Sequence, residues 1–383
     1  MAQRTRVGLV FSYNENWIGG TYYFLNLIHA LNLVEDRNKP IISIITSNEN
    51  DFIYVKNETQ YKYLEFFNKE YRLNKLEKGI NKILKKVGFK LPFSKDKYVN
   101  QLDLIYKYYA DASFKNFKNC VFWIPDFQEK FLPQYFKKEE INLRQQYYED
   151  IAFNKDYISF SSNTSLKHFE SLFPKSKIKK FVIQFAVTHP NFESLDFKSV
   201  LDKYKINKNF FFSPNQFWEH KNHIVVLKAL KILKNQGFNA LVLFSGKEND
   251  NRNKEYVLSL KKYISENNLN ENVKFLGFIP RNEQLLIMKK AKAIIQPSFF
   301  EGWSTVVEDV KAVNNFILLS DIEVHREQMT TNCVFFNPNN EGELALLMKK
   351  TEQSPPIIKK INYDLNLKSF SNDFVNLIKE VST

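Results

Sequence analysis

At 383 residues the chain is long for one domain and comfortable for two. Hydrophobic residues at 44% and charged residues at 25% exclude a globally disordered chain, and its two cysteines, Cys120 and Cys333, lie too far apart for a disulfide scaffold or a metal-ligand spacing. The formal net charge of +13 admits nucleic acid, an anionic membrane surface or a phosphorylated small molecule as partner, beside the plainer reading of a Lys-rich soluble protein.

In chain order, short apolar runs alternate with helical patterns, which predicts a parallel α/β architecture. Residues 7–12 read as a buried strand, followed by Gly19-Gly20 and a helix over 21–33. The run 41–46 is the next strand. In 69–97, Leu73, Leu76, Ile80, Ile83, Leu84 and Val87 share one helical face, and Lys75, Lys78, Lys82, Lys85 and Lys86 crowd the rest. Such a basic amphipathic helix can lie in an anionic bilayer interface, at roughly 1 kcal/mol per surface Lys. It can equally pack on its own domain with a solvated Lys face. Strands follow at 120–124, ending at Pro125-Asp126, and at 157–161 and 180–185. The polar stretch 186–209 reads as a linker.

A second series opens at 210–213, with further strands at 240–245, 273–276, 293–296 and 316–320 and helices at 221–236, 254–267, 282–290 and 305–313. The economical architecture is two doubly wound Rossmann-like domains facing a central cleft, since such sheets bind ligands outside the carboxyl ends of their strands. The expected division is 1–190, 191–365 and a C-terminal helix over 366–383 returning to the first domain. The N-terminal apolar run is too brief for a signal peptide, and no run approaches the roughly 18 apolar residues of a membrane span. These features predict a cytoplasmic protein, with 69–97 as its means of peripheral attachment to the inner face of the membrane.

The most informative stretch runs from Gln296 to Ala312. A strand leads into a loop holding Glu301 and Gly302, and the loop into a helix near Thr305. The unpaired amides and the dipole at such a helix start suit a diphosphate. Glu301 precedes the helix and Asp309 lies about one turn inside it, so one carboxylate can face a sugar and the other a ribose, each accepting hydroxyl hydrogen bonds. Alone, a strand–Glu-Gly–helix is weak, because acids near helix starts are common dipole partners.

The pattern Pro297-Ser298, Glu301-Gly302, Asp309, Ala312 and Ser320-Asp321-Ile322 resembles the signature of family 4 glycosyltransferases, which are retaining enzymes of the GT-B fold. Glu301 and Asp309 keep that family's spacing. Asp309 is shorter than the usual Glu, and Glu308 stands one position early; register favours Asp309 for the ribose. Upstream, the segment Ser213 to His223 resembles the family's basic pair at the donor diphosphate. Lys221 fits its second member, while Gln216, a neutral residue, falls where Arg is usual. Phe278 and Ile279, with Gly246 and Gly277, resemble the strand ends that close on the nucleotide base, and Gly19-Gly20 resembles the family's glycine loop.

The resemblance implies transfer of a sugar, with retention, from a nucleotide-diphosphate sugar to a hydroxyl of a glycan or polyprenyl-linked precursor, as in surface polysaccharide or O-antigen synthesis. It implies Glu301 and Lys221 as catalytic; Asp126, at a strand end facing the expected cleft, is read as orienting or receiving a proton from the acceptor hydroxyl, or as a cap of the next helix. Donor binding falls to Gly20, Gln216, Lys221, Gly246, Phe278, Glu301, Gly302, Trp303, Ser304, Thr305, Val306 and Asp309. The amides of 304–306 and Lys221 are expected to stabilise the leaving diphosphate. No Asp-x-Asp occurs in the chain, so no metal and no cofactor are expected. Two other readings are a catalytically silent glycan-binding relative, and a basic nucleic-acid-binding protein, against which the lysines outside 69–97 are dispersed and no nucleic-acid motif is present.

Overall fold

The computed structural model describes residues 4–70, 80, 82, 99–111, 113, 114, 117–248, 253 and 255–382. The expected amphipathic helix within 69–97 therefore falls outside the described residues, apart from four isolated positions. The first sheet comprises β1 (Arg6–Val10), β2 (Ile41–Thr46), β3 (Leu64–Asn68), β4 (Leu104–Tyr108), β5 (Cys120–Ile124), β6 (Tyr157–Phe160) and β7 (Lys179–Val182). Their order is β3-β2-β1-β4-β5-β6-β7. The second comprises β8 (Phe211–Pro214), β9 (Val242–Ser245), β10 (Val273–Phe275), β11 (Ile294–Gln296), β12 (Ile317–Ser320) and β13 (Cys333–Phe336), in the order β10-β9-β8-β11-β12-β13. All pairings are parallel.

The sequence dictates this arrangement through its short, almost unbroken apolar runs. Cys120–Ile124 and Ile317–Ser320 are buried throughout, as strands covered by helices on both faces must be. In each sheet the order reverses beside the first strand, between β1 and β4 and between β8 and β11. The crevice at such a switch point lies at the strand carboxyl ends, and there the two domains face each other.

Differences from the sequence reading have local causes. The first strand ends at Val10, and the helix Ile18–Leu31 starts early enough to include Gly19-Gly20 in its first turn, so this pair is not a loop. The seventh strand lies at Lys179–Val182, one to three residues before its expected bounds. The stretch 186–209 is no bare linker. Ala186 and Val187 are buried in the N-terminal core, and Asp196 caps a helix over Phe197–Lys203 by accepting from the amides of Lys198 and Ser199.

The closing helix, Asp364–Ser382, buries Phe370, Phe374, Val375, Leu377 and Ile378 in the same core as Val7, Leu9, Leu27 and Trp123. Each large apolar side chain so buried contributes roughly 1.5–3 kcal/mol. The chain thus begins and ends in its first domain, with the second domain inserted between.

Candidate active site

Between the domains lie two adjoining cavities of about 500 Å³ and about 110 Å³, which share Gln216, Thr305 and Val306 in their walls. The larger is also lined by Gly20, Asp126, Lys221, Glu301, Gly302, Trp303 and Ser304, and the smaller by Gly246, Phe278 and Asp309. Residues scattered over nearly the whole chain thus meet at two switch points, because each follows a strand's carboxyl end.

Glu301 is the best-anchored of them. Lys221 Nζ donates to both its oxygens, at 2.7 and 2.8 Å, and Gln296 Nε2 donates to Oε1 at 2.7 Å. Burial acts to raise the Glu301 pKa, but the Lys221 charge, His325 and hydrogen bonds from Lys221 and Ser298 outweigh it and hold the carboxyl below its ordinary value. Glu301 is therefore an anion fixed in place. Lys221 stands in a short 3-10 turn, Glu219–Lys221, ahead of the helix His223–Asn235, so it is a paired cation and not an exposed lysine at a helix start.

The start of the helix Thr305–Val313 opens on both cavities. One of its three expected anion donors is already engaged, since the Ser304 amide donates to Gln328 Oε1 at 3.0 Å. Gln328 also bonds the Ser304 carbonyl and Glu308, fastening this end from inside the domain. Thr305 and Val306 line both cavities at this helix start.

Asp309 faces the smaller cavity but is almost wholly buried, and Arg281 donates to both its oxygens while His189 lies 2.9 Å from Oδ1. Burial acts against its charge, and Arg281 with His189 prevails, holding its pKa down. The expected open carboxylate for a ribose is thus a clamped one with little acceptor capacity left. Glu308 lies elsewhere, its oxygens taken by Lys311, Gln328 and Tyr363. Of the two acids, Asp309 is the one at the cavity.

From the N-terminal domain, Asp126 follows β5 and accepts from the Gln128 amide at 3.0 Å. Burial raises its pKa, with Glu301 adding to the effect and the Gln128 amide, Arg144 and Lys221 opposing it. A carboxylate so placed can orient a hydroxyl or take up its proton. Around it stand Trp17, Tyr23, Tyr108, Tyr109, Trp123 and Phe136. Trp17 lies 4.6 Å from Tyr108 and stacks on Trp123 at 5.8 Å. Gly20 serves this packing, because a Cβ there would come within 2.6 Å of the Trp17 ring.

The domains touch closely at Gly302, where a Cβ would sit 2.4 Å from the Pro125 carbonyl oxygen. Trp303 donates its indole N–H to the Phe185 carbonyl at 3.0 Å. Gly246 is at φ +152°, and a Cβ there would strike the Asn215 carbonyl at 2.2 Å, so only glycine lets β8 and β9 end side by side.

Sequence reasoning overlooked Arg281, His189, Gln296, Gln328 and the aromatic wall. Arg281, His189 and Gln328 act on acids distant in sequence, Gln296 acts within its own strand and loop on Glu301, and the wall draws on separate elements. Among the described residues no group of three or more His, Cys, Asp or Glu is arranged to hold a metal ion, and no helix is long and apolar enough to cross a membrane.

Comparison with known proteins gives the following relationships. Residues 196–364 match the family model of glycosyl transferases group 1. The O-antigen chain mannosyltransferase RfbU of Salmonella typhimurium is 26% identical over 240 residues, which span 60% of this chain and 65% of that relative's length. Among solved structures, a glycosyltransferase of Rickettsia africae superposes with a TM-score of 0.65 at 16% identity, over 98% of this chain and 96% of that one. Alr3699/HepE of Anabaena, in complex with UDP and glucose, gives 0.64 at 14% identity, over 99% and 97%. The fold is therefore the two-domain GT-B arrangement, and its C-terminal domain matches, over residues 196–364, glycosyl transferases group 1.

Proposed function

We propose that the chain is a retaining, metal-independent glycosyltransferase that moves a sugar from a nucleoside-diphosphate sugar to a hydroxyl of a glycan or lipid-linked glycan precursor, in surface-polysaccharide assembly of the O-antigen type. The reading is carried by the Lys221–Glu301 pair, buried at the foot of the 305–313 helix and facing Asp126 across the interdomain cavity. The named activity of the Salmonella relative and the UDP and glucose held by the Anabaena protein support the substrate class.

In this mechanism the bond between the sugar's anomeric carbon and the diphosphate breaks as the acceptor oxygen attacks from the same face. Charge grows on the leaving diphosphate, and the Thr305 and Val306 amides with Lys221 meet it with dipoles and charge already in place. The acceptor's proton passes to the leaving phosphate oxygen, with Asp126 orienting the hydroxyl. Glu301 positions sugar hydroxyls; Asp309, held by Arg281, orders the nucleotide side. Phe278, half-exposed beside Gly246, offers a face to the base. The enzyme works in the cytoplasm, and residues 69–97 attach it to the inner face of the membrane.

The test offers the purified protein UDP-, GDP- and dTDP-sugars with a glycan acceptor, and reads the anomeric configuration of the product by NMR with and without chelator. Transfer with retention, unchanged by chelator, is expected. Inversion sinks the stereochemical reading, and binding of glycan with neither transfer nor donor hydrolysis favours the silent relative. Flotation with anionic vesicles tests membrane attachment, which is discarded if the protein stays unbound.

A further inference from the structure

Among the described residues lining the two cavities the full cations are Arg144, Lys221, Lys247 and Arg281, and each meets a carboxylate. What separates them is the carboxylate. Lys221 and Arg281 face Glu301 and Asp309, exposed by 9% and 2%, and Arg144 is shared between Glu129, exposed by 0%, and Glu140, exposed by 40%. Glu129, Glu301 and Asp309 are too buried to turn to water, so these three cations stay paired when a ligand arrives. Lys247 is paired at 2.6 Å with Glu15, which is 54% exposed. Water can take over Glu15 whenever a better anion arrives, and exposed pairs of this kind are weakly held.

The position of Lys247 is fixed although its charge is not. It directly follows Gly246 at the carboxyl end of β9, and its amide donates to Gln216 Oε1 at 3.2 Å. Its ammonium lies 5.6 Å from the centre of the Phe278 ring. Gln216, neutral at the switch point, thus holds the backbone of a lysine that lines the same cavity as Lys221.

We propose that Lys247 joins Lys221 in neutralising the donor diphosphate, and that its pair with Glu15 is a resting state which the diphosphate displaces. The assignment rests on the glycosyltransferase reading and adds to it a residue and a competition. Because Glu15 belongs to the N-terminal domain, in the turn before the 18–31 helix, donor binding exchanges a contact between domains for one with ligand.

The experiment is calorimetric titration of the full chain with UDP, GDP and dTDP and with uridine, guanosine and thymidine. For the diphosphate that the wild type binds, Lys247→Met, which keeps the apolar stem, is expected to weaken affinity roughly tenfold or more, the value of a charge-assisted contact. Binding of the matching nucleoside should be unchanged. Glu15→Gln, at an exposed site, is expected to tighten the diphosphate roughly two- to fivefold. In Lys247→Met, unaltered diphosphate affinity or an equal loss for nucleoside and diphosphate overturns the assignment, as does weaker binding by Glu15→Gln. Binding of none of the diphosphates by the wild type overturns the glycosyltransferase reading along with it.

Discussion

The two faces of the crevice are built from different chemistry. The C-terminal face carries charge in buried pairs, Lys221 with Glu301 and Arg281 with Asp309, each fixed by further hydrogen bonds. The N-terminal face is a wall of Trp17, Tyr108, Tyr109, Trp123 and Phe136 around Asp126, with the Glu140–Arg144 pair beside it. Fixed charge on one side suits a ligand whose own charge is constant and multiple, because the cost of organising the site is met during folding. Aromatic faces on the other suit a neutral ring with an apolar side and a hydroxyl rim. On the proposed function, the contrast places the anionic partner and the sugar-like partner at opposite walls.

The sharpest way to break that contrast is Lys221→Ala. Transfer is expected to fall by on the order of 10²–10³, the usual loss when one preorganised transition-state contact is removed. Stability should drop by about 3–5 kcal/mol, because Glu301 is left buried without its cation. Adding Glu301→Gln should restore the melting temperature and leave transfer lost. Recovery of both would make the pair structural, and the charged face would lose its meaning. On the opposite wall, Asp126→Asn is expected to lower transfer roughly 10²-fold while calorimetric affinity for the nucleoside diphosphate stays at the wild-type value. A matching loss of nucleotide affinity would mean that the walls do not divide the work.

A third variant acts where the walls meet. Gly302→Ala places a methyl against the Pro125 carbonyl and is expected to cost about 1–3 kcal/mol as an overpacked contact. Transfer should suffer more than nucleotide binding, since the nucleotide touches mainly one domain. Small-angle scattering would show whether the domains have moved apart.

The smallest effect concerns acid sensitivity of the C-terminal domain. His223 is stacked on Phe217 at 4.5 Å, and burial pushes its pKa down to about 3 from 6.5. The unfolded chain binds a proton that the folded chain refuses, so this stability is complete above pH 6.5 and is lost as pH falls from there towards 3. The slope is at most about 1.4 kcal/mol per pH unit. Urea midpoints measured from pH 7.5 to 5 should fall for the wild type and fall less for His223→Gln. Parallel curves would assign the acid sensitivity to other groups, such as buried His325, whose pKa burial also lowers.

Much of this was legible in the sequence, more so in the second domain than the first. Ile41–Thr46 and Cys120–Ile124 form strands over the expected residues, because unbroken apolar runs stop there at turn residues. The strand Leu104–Tyr108 escaped notice because Lys107 interrupts it. That lysine is fully buried, its ammonium held by the carbonyls of Asp111 and Ser113, a solution that only tertiary structure supplies. The helix Glu49–Thr59 bunches its apolar residues consecutively at Phe52 to Val55 and is polar elsewhere, so it carries little periodic signal. The charged face could be read because Glu301 to Asp309 is one continuous segment on a strand, a loop and a helix. The aromatic wall could not, since Trp17, Tyr108, Trp123 and Phe136 follow separate elements and meet only when the first sheet closes.

One architectural detail bears on how the molecule is made. The 364–382 helix completes a core otherwise composed of the first half of the chain. A ribosome therefore releases the inserted lobe ready to fold while the earlier lobe still waits for its last helix. Synthesis order and completion order are reversed, and the nascent first half must be kept from aggregating until that helix has emerged.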